Sequence, residues 1–84
     1  MTPYIVEFLG TAFLLAAFLF GGQLLGIASL AIAISLGSKV SGGHFNPAAT
    51  FFHYLKGDIS EMKAFYYICS QHAASVAVFL LYSM

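Results

Sequence analysis

The sequence predicts an all-α membrane protein: three transmembrane helices plus one re-entrant half-helix, folded as one unit over residues 1–84. Three observations carry that expectation. Of the 84 residues, 61% are hydrophobic and only 7% charged, whereas soluble domains carry about 25% charged residues. The apolar residues gather into three runs of roughly 17 to 25 residues, the length a helix needs to cross a hydrocarbon core about 30 Å thick. A fourth apolar run, Ala48 to Leu55, is too short to cross and follows a Gly-rich stretch.

The first span is expected at about residues 4–21 and holds one charge, Glu7. The amino terminus has neither the positive region nor the cleavage site of a signal peptide, so this span reads as retained. Gly21-Gly22-Gln23 supplies a reversal with glycine-permitted dihedrals. The second span, about residues 24–40, places Ser29, Ala33 and Gly37 on one stripe at spacing four. Small residues at that spacing let helix backbones approach closely in lipid, although Ser and Ala are also common in such helices. The third span, about 59–83, opens on Asp58-Ile59-Ser60-Glu61, which reads as a capping box with Asp58 as N-cap.

Residues 41–56 differ in kind. Ser41-Gly42-Gly43-His44-Phe45-Asn46-Pro47 is irregular, and irregular backbone at membrane depth is tolerated only in protein or beside a wet cavity. Asn is a preferred N-cap and Pro a preferred first helical residue, so Asn46 should start a short helix. Gly57 suits its C-cap, and Lys56 complements its negative end. Capping by the Asn46 side-chain oxygen would leave the amide NH₂ as a fixed outward donor at the positive tip of the helix. Such a tip orients a passing water or hydroxyl and disfavours cations.

The residues of this loop, Ser41-Gly42-Gly43-His44-Phe45-Asn46-Pro47-Ala48 followed by Ala49-Thr50, resemble the SGxHxNPA box in the first repeat of the aquaporin and aquaglyceroporin (major intrinsic protein) family. Glu7-Phe8-Leu9-Gly10-Thr11 resembles the ExxGT of its first helix. Ile59-Ser60, Ala64 and Tyr67-Ile68-Cys69-Ser70-Gln71 resemble the opening of its third helix, with Ser70 where Ala is usual. The four matches follow the family's order across nearly the whole chain. The resemblance implies a channel for water and small neutral solutes such as glycerol, lined by Asn46, Pro47 and Ala48. It further implies that Glu7 and Gln71 support the loop and that His44 braces it against Glu7 or lines the pore. Glu7, near the end of its span, also reads as an acid reaching the interface. Gln71 in a span also reads as plain interhelical glue.

The family's pore uses two such repeats of opposite topology, and these residues supply one. The expected partner is an inverted second copy, giving an antiparallel homodimer, with four such pores and eight chains as a further step. A different chain supplying the second half, or a non-conducting accessory role, are the alternatives. Lys39, Lys56 and Lys63 all fall on the loop side of the inferred topology, a bias that favours one orientation. The family's second repeat has Arg directly after its NPA, where Ala49 stands here. Gly26 falls where a bulky aromatic is frequent, with Gly43 and Ile34 as companion filter positions. A filter of Gly26, Ile34, Gly43 and Ala49 would be wide and without a cationic guard.

Other functions find little support. Net charge is zero, with no polybasic patch for nucleic acid. The single cysteine, Cys69, excludes an internal disulfide, and the histidines lack metal-ligand spacing, so neither metal nor cofactor is expected. Ser41, His44 and an acid do not compose a nucleophile elbow, and no enzymatic activity is expected.

Overall fold

The computed structural model describes every residue from Met1 to Met84 and contains helices only. Helix α1 runs Thr2–Ser41, α2 Pro47–Lys56 and α3 Glu61–Ser83. Helix α1 is a hairpin of two arms. Its backbone leaves helical geometry at Gly22 (φ 79°, ψ −170°), a combination open to glycine alone. A straight helix of that length would extend about 60 Å, yet the longest dimension of the molecule is 37 Å. Contacts between the arms agree with a reversal: the space above Gly26 is filled by Phe18, and that above Gly37 by Val6.

The arms meet through small residues. Ser29, Ala33 and Gly37 are all buried, as is Gly26. Ser29 returns its hydroxyl to the Gly26 carbonyl at 2.7 Å, so the stripe presents no unpaired polar group. Helix α3 packs against both α1 and α2.

The partition of side chains is that of a protein dissolved in lipid. Buried polar groups (Glu7, Thr11, Ser29, Ser41, Thr50 and Gln71) are as many as the buried apolar ones. Large apolar residues such as Leu24, Leu36 and Leu55 cover the outside instead. In water this arrangement would expose the apolar surface and bury the polar atoms, the reverse of what solvation favours. Helices α1 and α3 are each long and apolar enough to cross a bilayer.

Helix ends follow local chemistry. The Asn46 side chain accepts from Ala48 N, Pro47 occupies the first turn, and α2 closes at Gly57 (φ 85°). Gly57 N donates to Tyr54 O and Asp58 N to His53 O, the paired bonds of a Schellman end. The expected capping box needs correcting: α3 starts at Glu61 with Ser60 as its cap, the hydroxyl accepting from Lys63 N at 3.1 Å. Asp58 is diverted to α2, where His53 Nδ1 (2.8 Å) and Lys56 Nζ (3.3 Å) share its carboxylate. The bond from His53, followed by that from Lys56, holds the Asp58 carboxyl below its ordinary value.

Candidate functional site: a half-helix tip held by a buried carboxylate

The centre of the site is Glu7, fully buried on the first arm of α1. Its Oε2 accepts from Ser41 Oγ at 2.7 Å and from His44 N at 3.0 Å. Its Oε1 accepts from Phe45 N at 2.7 Å and from Gln71 Nε2 at 2.9 Å. A carboxylate offers about four acceptor sites, and all are taken. One side chain thus ties together the first arm, the end of the second, the loop and α3.

The loop needs such anchoring because its backbone is unusual. Gly42 and Gly43 have positive φ (91° and 65°), and so does Phe45 (52°), which has a side chain to accommodate. The Phe45 ring is 3% exposed and fills a notch between Gly10 and Gly37, one glycine from each arm. A Cβ on Gly10 would lie 2.1 Å from Phe45 Cε1, so only glycine leaves room for the ring.

Helix α3 supplies the other braces. Tyr67, with no exposed surface, donates its hydroxyl to Ser41 O at 2.6 Å. Gln71 Nε2 also donates to Thr50 Oγ1 at 2.9 Å, and that oxygen pairs with His44 Nδ1 at 2.9 Å. The His44 ring stacks on His53, with centroids 4.4 Å apart and planes 6° from parallel. His44 therefore meets Glu7 through its backbone while its ring steadies α2.

At the tip, Asn46 Oδ1 accepts from Ala48 N at 2.8 Å, leaving Nδ2 outward on an exposed residue. Ala48 is exposed, and Pro47, Ala49 and Gly43 are half-buried. Of the positions expected from sequence to form a filter, Ile34 is exposed on the second arm, whereas Gly26 lies under the Phe18 ring. Any side chain at position 26 would collide with that ring, 2.2 Å from an added Cβ. Thr50, Tyr67, Phe45 and Phe18 had no role assigned from sequence. Their only sequence signal was position within the matched motifs, which Phe18 lacks.

Comparisons with known proteins agree with this geometry. Residues 22–84 match the family described as Major intrinsic protein. Aquaporin TIP1-2 of Zea mays is 45% identical over 53 residues, covering 63% of this chain and 21% of that protein. Aquaporin TIP1-2 of Musa acuminata is 43% identical over 53 residues, with the same coverage. Aquaporin TIP1-1 of Arabidopsis thaliana is 38% identical over 52 residues, covering 62% of this chain and 21% of its own length. No solved structure matches the chain. The chain spans about a fifth of the length of these relatives. Matched by that family over three-quarters of its length, this integral membrane protein belongs to the major intrinsic protein family.

Proposed function

We propose that these residues form one half of a channel that passively conducts water and small neutral solutes such as glycerol. In this reading residues 4–21, 24–40 and 59–83 cross the bilayer, and 41–56 enter and return. The observation that carries it is the Asn46 tip. A half-helix too short to span ends on an exposed asparagine whose oxygen is spent on its own backbone and whose NH₂ is free. Fixed donors at the positive end of a helix orient a passing hydroxyl and oppose cations.

The opposite half is an inverted second copy, which covers the irregular backbone of residues 42–46 that lipid would not tolerate. Four such pores would make an assembly of eight chains. A complementary half of different sequence is the second reading. It is favoured by Lys39, Lys56 and Lys63, which sit in the last turn of α1, the last turn of α2 and the first turn of α3, all toward one side.

Liposomes containing the protein should shrink faster than empty ones under an osmotic step, and Asn46→Ala should remove most of that difference. An Asn46→Ala protein that conducts like the parent would mean an accessory role instead. Labelling Lys39 and Lys63 from each side of sealed vesicles reads orientation. Labelling from both faces fits the inverted copy; labelling from one face favours the different partner.

Selectivity rests on Ala49, with Phe18 occupying the space beside Gly26. Ala49→Arg should cut glycerol entry by about tenfold or more while water flux falls less, because a guanidinium narrows the passage and adds charge. Equal glycerol entry in parent and variant would remove Ala49 from the filter.

A further inference from the structure

The first arm of α1 turns one stripe toward the half-helix tip. Thr11, Leu14 and Leu15 line a cleft whose wall also carries Asn46 and Pro47. Phe18 continues that stripe, standing seven, four and three residues on from them, the spacings that share a helix face. At 1.5 Å per residue it lies about 6 Å beyond Leu14, toward the Gly22 reversal and away from the side of Lys39, Lys56 and Lys63. Phe18 is 40% exposed, so part of its ring is open. The rest bears on Gly26 of the second arm, where an added Cβ would fall 2.2, 2.3 and 2.4 Å from Cδ1, Cγ and Cε1 of the ring. No real contacts are that short. The ring occupies the volume that a side chain at position 26 would take.

We propose that Phe18 sets the size limit of the passage, its ring filling from the first arm the place that Gly26 leaves empty on the second. The proposal rests on the reading above that the Asn46 tip lines a conducting pore. The stripe that meets the tip at Thr11 and Leu14 reaches Phe18 one turn further out, so a solute leaving Asn46 next passes the open part of the ring. The wall there is flat and apolar. It is also stiff, because the ring bears on helix backbone and not on a flexible side chain. Such a wall offers a solute no hydrogen bond and acts by width alone. It narrows a passage that Gly26, Gly43 and Ala49 would otherwise leave wide. An inverted copy repeats the ring near the opposite mouth, placing two constrictions in series, whereas a partner of different sequence leaves one.

Entry of water, glycerol and the longer polyol erythritol into proteoliposomes tests this. Phe18→Ala should admit erythritol about tenfold faster than the parent, with a smaller rise for glycerol and the least for water, because pore diameter selects among neutral solutes. Phe18→Leu keeps most of the packing and should fall between. Combining Phe18→Ala with Gly26→Phe returns a ring to the same space from the other arm, and should bring erythritol entry back toward the parent rate. Phe20, about 200° round the helix from Phe18, lines the groove on the far face. Phe20→Ala should therefore leave all three rates as they are. Erythritol entry unchanged in both Phe18 variants, in a protein that conducts water, would overturn the proposal and leave the channel standing. An equal rise in Phe20→Ala would overturn it too, as a general loosening of the helices. A parent that conducts no water would defeat the channel reading and this proposal together.

Discussion

Glu7→Gln should dismantle the re-entrant loop. Four donors converge on the carboxylate of Glu7, two on each oxygen. A glutamine keeps one oxygen and turns an NH₂ toward two of those donors, so two bonds are lost and two N–H or O–H groups are left facing a donor. Hydrogen bonds to a charged group contribute about 1.5–3 kcal/mol each, so the loss is about 3–6 kcal/mol. Total stabilities run to only about 5–15 kcal/mol, and Glu7 is fully buried. The expected result is a sharp fall in the yield of monodisperse protein and in its thermal midpoint, with water flux near that of empty liposomes. Glu7→Asp keeps the charge but is one methylene short, and should fall between the two. A Glu7→Gln protein as stable as its parent would mean that Ser41, Tyr67 and the glycines suffice to hold the loop.

Gly10→Ala should be nearly as damaging, though it adds a single methyl group. That carbon would meet three atoms of the Phe45 ring at 2.1, 2.5 and 2.6 Å. The ring is buried, sits on a backbone of φ 52° and lies against Gly37 as well, so it can yield only by leaving its notch. Overpacking costs about 1–3 kcal/mol and occasionally more; here it also pulls Phe45 N away from Glu7. Gly37→Ala should do less harm, because its nearest neighbours, Phe45 Cζ and Val6 Cγ1, stand at 3.0 Å and are ends of side chains. The collision can be isolated by a double-mutant cycle. Phe45→Leu should lower stability in the parent but lower it less, or raise it, on the Gly10→Ala background. Additive effects of the two substitutions would rule out the notch as the cause.

Much of the architecture could be read from the sequence because its signals are local. Asn46-Pro47 and Gly57 announce the start and end of α2 through their own backbone chemistry, and Gly22 permits the reversal of α1. The beginning of α3 was misjudged for the same reason: Asp58 and Ser60 are both good caps. Only the folded positions of His53 and Lys56 decide that Asp58 serves α2. The loop's support was legible as residues but not as a network. Glu7 stood out as a lone acid in an apolar span, whereas Thr50 and Tyr67 acquire their importance from convergence across helices. For His44 the sequence leaves open a brace against Glu7 or a place in the pore lining; its N–H meets Glu7 while its ring turns to Thr50 and His53. The Phe18 ring over Gly26 lies on the other arm of the hairpin, and no count along one helix reveals it.

The central claim is that α2 dips into the bilayer with its Asn46 end deepest and wet. Spin labels at Ala48→Cys and Lys56→Cys, in a Cys69→Ser background, measure this directly. The label at 48 should lie roughly 12 Å deeper than that at 56, eight residues at 1.5 Å each, and should still respond to a water-soluble relaxing agent. Equal depths for the two labels, with both at the membrane surface, would contradict the account.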